Sequence, residues 1–552
     1  MTLRTVALVK QVPMGDRPLG ADARLARDGA EAEMNPWCRR AVAQAVRLGR
    51  CTAVTMGPPA AADVLREAAA WGAERAVHLS DPALAGADCL VTARALADVV
   101  RKLGDADVVL VGHSSTDGST GAVGPMLAEV LGLPFVGPAM EIDVNGRTLR
   151  TRLQVEGGTE TVTVRLPAVV AVAERSCQPA KVDPGSWAPA DVVERWSAAD
   201  LKEDVGPSPT AVVGMRHAPR NRRQSRLDGD VTAQVKLAVA ALDLDVPRAA
   251  PEPVPTSGDR DVLVVGGNRA LLGEAATLGR VTCVGGDGRG DWGADEHIAL
   301  GGREPRQVAA ALAGRLTRLP WAILGGSTAW DREVLARLAV LLDAGLMSDL
   351  VGIEVRGDRL VGLKPTGGGM VAEIVGNGPT QVATLRTGTL ALRTPRAAAG
   401  VPRSELPVAA DPDVTRDGFV PDDDYDALDR AAVVVGVGRG VPPDEYGALE
   451  PLLAVLGAEL GATRKVTDAG WLPHSRQIGL TARSIAPRLY IAIGLSGNPN
   501  HSVGVSRAHT VLAVNSDPAA PVFEHADIGI VGDWRAVVPL LTAELAARQP
   551  AS

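Results

Sequence analysis

The sequence predicts an α/β protein of two related, doubly wound units followed by a third unit with its own parallel sheet. Three observations predict it. Apolar strands of four to seven residues alternate with longer amphipathic stretches along most of the chain. A segment beginning near residue 109 is echoed near residue 322. From Val433 onward, short apolar runs each end in a tight Gly-, Asn-, Asp- or Pro-rich turn.

TVALV (5–9), CTAVTM (51–56), RAVHL (75–79) and DVVLVG (107–112) read as strands, with PWCRRAVAQAVRLG and ADVLREAAAWGA as helices between them. That is the βαβ rhythm of a largely parallel sheet covered on both faces. Over 140–175 the pattern turns to strict alternation, with Asn145-Gly146 and Gly157-Gly158 as turns, and predicts hairpins. Residues 184–260 are rich in proline and carry Arg216, Arg220, Arg222, Arg223 and Arg226. They read as an extended arm whose basic cluster is either a solvated surface or a partner patch. Strands resume at DVLVVGG (261–267), VTCVGG (281–286) and WAILGG (321–326), and a second linker covers roughly 398–428. The expected boundaries are 1–185, an arm 186–260, 261–397, a linker 398–429, and 430–547.

The echo pairs 109–142 with 322–355. Both read strand, glycine, Ser/Thr/Asp turn, amphipathic helix, then a second strand and hairpin. A shared order over that length favours duplication over a coincidence of α/β pattern.

Composition narrows the function classes. The chain has 552 residues, 46% apolar and 22% charged, and a net charge of −8. It is globular, long enough for several cores, and not built for broad nucleic-acid binding. Five scattered cysteines without a C-x-x-C pattern imply neither a metal site nor a disulfide framework, and suit a reducing compartment. The start, MTLRTVALVKQVP, lacks a signal peptide's apolar region, and no apolar run nears the length of a membrane span. A cytoplasmic protein that is not membrane-embedded is expected.

The carboxy-terminal block carries the strongest chemical signal. Gly436, Gly438, Gly440, Gly479, Gly494, Gly497 and Gly504 fall at turns, among Arg439, Arg464, Arg476, Arg483 and His501. Bare amides and cations together suit a pyrophosphate, although glycine-rich loops are also ordinary α/β punctuation. Two further cradles, Gly112–Gly124 and Gly325–Asp331, sit at strand–helix junctions. None is a P-loop, and GVGRG (436–440) is not the full dinucleotide fingerprint. No G-x-S-x-G, H-E-x-x-H or paired-carboxylate motif marks a catalytic set, so no catalytic residue is assigned. His501 follows a glycine-rich turn and either faces a ligand or is structural. Cofactor-type loops without an acid–base set fit a carrier whose cofactor does the chemistry.

The block RKVTDAGWLP…RQIGLTARSIAPRLYIAIGLSGNPNH…VLAVNSDPAAPVFEHADIGIVGDW resembles the FAD-binding domain of the electron-transfer flavoprotein alpha subunit. STAWDREVLARLAVLLDAGLMSDLVGIE resembles that subunit's amino-terminal domain, and LVKQVP…EMNPWCRRAVAQAVRLG…VGHSSTDGSTG…RLPAVVAV resembles the beta subunit. Nearly the whole chain is covered, beta then alpha, as though the heterodimer were fused into one chain. The resemblance implies adenine-nucleotide-hydrolase-like, Rossmann-like folding for the two related units.

By resemblance, FAD would be held by Arg439, Thr463, Arg464, Gln477, Gly479, Thr481, Ser496, Gly497, Asn500, His501, Asn515 and Asp533. Arg464, Thr481 and His501 would lie near the flavin ring and tune it, since cations there favour the reduced, anionic form. A second nucleotide, AMP or a second FAD, would contact Val9, Lys10, Asn35, Met56, Gly57, Asp117, Ser119, Thr120 and Gly121. Two departures fall in the flavin block: Leu480 replaces a glutamine, and Asn500 is a shorter amide. A third is Glu174–Pro184, which lacks the family's leucine-bearing docking pattern and implies a dedicated dehydrogenase donor, with a quinone-linked acceptor. The alternatives are an electron-bifurcating two-flavin protein oxidising NADH, or a flavin-free nucleotide-binding scaffold.

Overall fold

The computed structural model describes residues 2–15, 31–217, 222–242, 252–256, 258–286, 288–366, 370–391, 393–397, 400–480 and 482–548. The central strand Leu3–Val9 is buried everywhere except at Arg4, as a strand covered on both faces should be. Its sheet runs Val193–Trp196, Arg75–Leu79, Gly49–Met56, Leu3–Val9, Val108–Gly112, Ala168–Val172, Phe135–Asn145, all parallel. Antiparallel Thr148–Val155 and Gly158–Arg165 follow through turns where Gly146 and Gly157 hold φ of +61 and +77.

The second sheet runs Arg403–Leu406, Glu296–Leu300, Arg280–Val284, Asp261–Val265, Ala322–Gly325, Gln381–Leu385, Leu346–Leu350, again parallel throughout. Strand for strand this is the order of the first, so the echo read in the sequence is also an echo of topology. The two units meet through the echoed helices Val123–Leu131 and Ala329–Leu341, whose Met126, Leu127, Leu335 and Leu338 share one hydrophobic core. Across that seam the buried Arg337 donates to Glu129 at 2.7 Å, and within its own helix to Glu333 at 3.0 Å.

Each unit also lends the other a strand. Thr210–His217, from the arm after the first unit, pairs with Met370–Gly376 in the hairpin sheet of the second. Val414–Pro421, which follows the second unit, pairs with Gly158–Arg165 in the hairpin of the first. The third sheet runs Ser225–Arg226, Ile528–Val531, Thr510–Asn515, Leu489–Ile493, Val433–Val437, Glu459–Ala462, all parallel.

The stretch 186–260 is therefore more than an extended arm. Besides three sheet-forming strands, Val193–Trp196, Thr210–His217 and Ser225–Arg226, it holds the helix Val231–Ala241, which packs on Trp534–Ala546. In its basic cluster Arg216, Arg223 and Arg226 are exposed, as a solvated face would be, whereas Arg222 is drawn inward; Arg220 lies outside the described residues. Arg222 donates to Asp527 at 2.8 Å and to the carbonyls of Ala508 and Ser506 at 2.8 and 3.1 Å. Arg216 donates to Glu373 at 3.2 Å, and Arg226 lies over the Phe523 ring at 5.4 Å. Carboxylates and unpaired loop carbonyls opposite the arm supply these acceptors, which a linear reading cannot see. Among the described residues no helix is long and apolar enough to cross a membrane.

Candidate cofactor site

In the third sheet the strand order reverses between Val433–Val437 and Leu489–Ile493. Open α/β sheets bind ligands in the crevice that such a reversal leaves at the carboxyl ends of the strands. Two glycine turns fill those ends here. A Cβ on Gly438 would lie 2.3 Å from the Gly494 carbonyl oxygen; Gly497, at φ +86, would place one 2.1 Å from Val522 N. Only bare backbone fits, and bare backbone lets a phosphate approach.

The same crevice gathers Arg439, Ser496, Gly497, Asn515 and Asp533. Gly440 N–H donates to Gly494 O at 3.3 Å, Asn515 Nδ2 to Leu495 O at 2.7 Å, and Trp534 Nε1 to Gly440 O at 3.0 Å. Asp533 caps the helix Trp534–Ala546, accepting from Arg535 N at 2.9 Å. Arg439 is exposed, with no ion pair among the described residues, and Ser496 and Asn500, on the turn after Leu489–Ile493, are exposed as well. A pyrophosphate fits this combination of glycine backbone and an available guanidinium.

A second group faces the first unit. Thr463 and Arg464 follow the strand Glu459–Ala462; Arg464 pairs with Glu174 and, at 3.4 Å, with Asp468, and lies over Trp37 at 5.4 Å. Burial lowers its pKa against the pull of Asp468, from so high a starting value that the cation persists. Gln477 is buried and accepts from Thr467 Oγ1 at 2.7 Å. Gly479 holds φ +144, its Cβ position 2.7 Å from Asn500 O, and Leu480 N–H donates to that same carbonyl at 2.7 Å. Leu480 is itself buried, so the departure from glutamine places an apolar side chain there without leaving an amide unbonded. Thr481 lies outside the described residues.

The loop 474–484 borders a cavity of about 570 Å³ where all three units meet. Trp37 and Glu156 reach it from the first unit, Arg332 and Arg386 from the second, Gln477 and Arg483 from the third. Burial, with Arg332 adding to it, drives His113 down to about 3; burial, with Arg175 adding to it, drives His474 to about 4. Both rings are neutral at pH 7. Burial opposes ionisation of Asp349, but Arg386 beside it holds its carboxyl at about 2. Arg483 is buried, donates to Asp429 at 2.8 Å and stacks on Tyr425 at 3.9 Å, and its Nη2 has no hydrogen-bond partner. That orphaned donor at the cavity wall is the kind of atom an acceptor on a bound ring system would satisfy.

Of the two readings of His501, the structure shows the features of the structural one. It is buried, with Nδ1 3.0 Å from Ile478 O and Nε2 2.7 Å from Tyr490 Oη. Burial pushes it down to about 4, against the Ile478 carbonyl. A neutral ring donating from Nδ1 and accepting at Nε2 satisfies both contacts.

A family model described as electron transfer flavoprotein domain matches residues 22–200 and 294–411, and one described as electron transfer flavoprotein FAD-binding domain matches 427–506. Together they span well over half the chain. The chain belongs to the electron transfer flavoprotein family. Electron transfer flavoprotein subunit alpha of Mycobacterium leprae is 37% identical over 246 residues, 44% of this chain and 76% of that protein. Subunit alpha of Bacillus subtilis is 34% identical over 246 residues, 41% and 70% of the two chains. Protein FixB of Bradyrhizobium diazoefficiens is 37% identical over 241 residues, 42% and 65%.

In this electron transfer flavoprotein the residues expected at a second nucleotide also share a strand-order reversal, between Leu3–Val9 and Val108–Gly112. Lys10 Nζ pairs with Asp117 at 2.7 Å, and Asn35 is buried, donating to Ser114 O at 2.8 Å and accepting from Thr116 N at 3.3 Å. Val9 O accepts from Thr55 Oγ1 at 2.8 Å, and Gly57 O meets His78 Nε2 at 3.1 Å beside Met56. Ser119 and Gly121 hold φ of +46 and +61 on either side of Thr120. Sequence reading missed the second-unit side chains beneath this loop, among them Ser348, Lys364 and Arg332. Arg332 and Ser348 lie in the echoed segment 322–355, Ser348 in its MSDL after an apolar run; Lys364 lies beyond that segment.

Proposed function

We propose that this chain carries electrons on FAD bound by the unit 430–547, taking them from a dedicated dehydrogenase and passing them to a quinone-linked acceptor. The unit 1–185 stands for the beta subunit, and 261–397 with 430–547 for the alpha subunit, joined through 186–260 and 398–429. The crevice at the third sheet's strand reversal carries the reading: it joins obligatory glycines to the available cation of Arg439, inside the region matched by an FAD-binding model. Repetition of one sheet order in the first two units supports the fused reading.

Bound FAD would supply the redox chemistry; the chain's residues would bind and tune it. Arg439, Ser496, Gly497, Asn515 and Asp533 would hold the pyrophosphate and adenosine side. Thr463, Gln477, Gly479, Thr481 and Asn500 would line the ring side, with Arg464 the cation that stabilises added negative charge. His501 would act by bracing the loop at Ile478 rather than by its charge. Val9, Lys10, Asn35, Met56, Gly57, Asp117, Ser119, Thr120 and Gly121 would hold AMP, or a second FAD in the bifurcating alternative.

The visible spectrum with acid-released nucleotide content tests this. One FAD and one AMP per chain is the expected result. Two FAD would move the reading to the bifurcating alternative, and no flavin after reconstitution would sink it. In the same preparation, Arg464→Ala should lower the flavin potential by about 30 mV, equivalent to roughly 1.4 kcal/mol on a two-electron couple; an unchanged potential would remove Arg464 from the tuning role.

A further inference from the structure

The strand Leu346–Leu350 loses register against Gln381–Leu385 between Met347 and Leu350. Ser348 and Asp349 occupy the break, and Asp349 adopts a left-handed φ of +64. Its N–H donates to Thr384 Oγ1 at 2.7 Å. Bulges re-aim side chains, and a non-glycine residue in that conformation persists only where its surroundings over-determine it. Here the break sends adjacent side chains to opposite sides of the molecule's centre.

Ser348 Oγ donates to the carbonyl of Thr120 at 2.7 Å. Beside it, buried Lys364 donates to Ser348 O at 2.8 Å and to Ser119 O at 3.4 Å. Asp349 instead takes the guanidinium of Arg386, from Nε at 2.9 Å and Nη2 at 2.5 Å. Arg386 in turn donates to Leu480 O at 2.5 Å, Ser484 Oγ at 2.7 Å and Gly479 O at 3.3 Å. These bonds engage all three guanidinium nitrogens, so the plane of the group is fixed and with it the backbone it holds. The first unit has a register break at the same place in its sheet, but Gly137-Pro138 fill it, and no carboxylate stands there.

We infer that Asp349 and Arg386 are a positioning pair for the loop 479–484, and that Ser348 ties this pair to the loop 119–121, so that a nucleotide at 119–121 alters the order of 479–484. The inference rests on reading 119–121 as a nucleotide loop and 479–484 as the flavin loop. The coupling is physical and contiguous: one loop is bonded to Ser348 of the bulge, and the other, through Arg386, to its neighbour Asp349.

Hydrogen exchange of the full chain tests it, with AMP as the probe and calorimetric AMP binding measured in parallel. In the wild-type chain, AMP should slow exchange across 477–486. Asp349→Asn should speed exchange there about tenfold, the effect of losing a charge-assisted bond, and Arg386→Lys should restore less than the native protection. Exchange in the helix Trp534–Ala546 should stay unchanged, which separates lost positioning from unfolding. Ser348→Ala should still bind AMP yet lose the AMP effect at 477–486. Native exchange in Asp349→Asn would overturn the positioning pair. A full AMP effect in Ser348→Ala would overturn the link. Failure of the wild-type chain to bind AMP would bring down the second-nucleotide reading and the link with it, leaving the Asp349 result to judge the pair.

Discussion

Gly436 shows how tightly single positions are set in the third unit. It lies inside Val433–Val437, next to Leu489–Ile493, and a Cβ there would fall 1.7 Å from Tyr490 Oη and 2.4 Å from Tyr490 Cζ. Tyr490 cannot swing aside without breaking its bond to His501, and His501 holds Ile478 at the root of the flavin-side loop. Gly436→Ala should therefore destabilise the chain by roughly 3 kcal/mol, at the upper end for overpacking. A urea midpoint equal to wild type would show that the ring has room to move. The same geometry explains why His501 is a brace: two internal partners and full burial leave it neutral.

Among the elements, the arm after the first unit is pinned to the third unit at one end of its helix by a short strand and a charged plug. Ser225–Arg226 adds a short strand beside Ile528–Val531, and Arg222 plugs into Asp527 and the carbonyls that end the Val503–Val505 turn. Both charged side chains are mostly buried, 13% and 12% exposed. Arg222→Ala would leave Asp527 without its cation, a loss of about 3 kcal/mol by the usual cost of breaking such a pair. Limited proteolysis should then cut the arm near 222–242 while the sheet cores persist; an unchanged digestion pattern would count against the anchoring role. The glycine turns at the crevice obey the same logic in reverse: they exclude side chains because backbone from the neighbouring turn already fills the Cβ position.

For the whole molecule, reciprocal exchange of Thr210–His217 and Val414–Pro421 makes the first two units a single base, sealed by Arg337 and Glu129. Neutral histidines, His501 buried and His113 and His474 half-buried, give this assembly an acid limit. His501 and His474 titrate at about 4 and His113 at about 3 in the folded chain. Each binds its proton near pH 6.5 when unfolded, so the unfolded state holds more protons throughout the window between. Stability must then fall as pH drops from about 6.5 toward 4, by roughly 3 kcal/mol for His501 alone. Urea midpoints measured across that range should show the loss, and His501→Gln should flatten it; an equally steep slope in the variant would remove His501 as a cause.

Apolar periodicity, turn residues and the repeated segment were enough to determine the α/β class, the three largely parallel sheets among the five described, and the kinship of the first two units. Those are local signals: Val-rich runs such as Val433–Val437 and turns such as Asn145-Gly146 carry their own instructions. The glycines and Arg439 of the crevice were legible for the same reason: glycines at strand-end turns stand out locally, and the structure leaves no room there for a Cβ. What only the tertiary structure decided is where charged and polar side chains end. Arg222 became an anchor, His501 a neutral brace, and Arg464 a partner of Glu174, while Asp349 and Arg386 emerged as a hub that no motif announced. Each outcome depends on an acceptor or a burial supplied by a segment far away in the chain, and such partners leave no periodicity in the sequence.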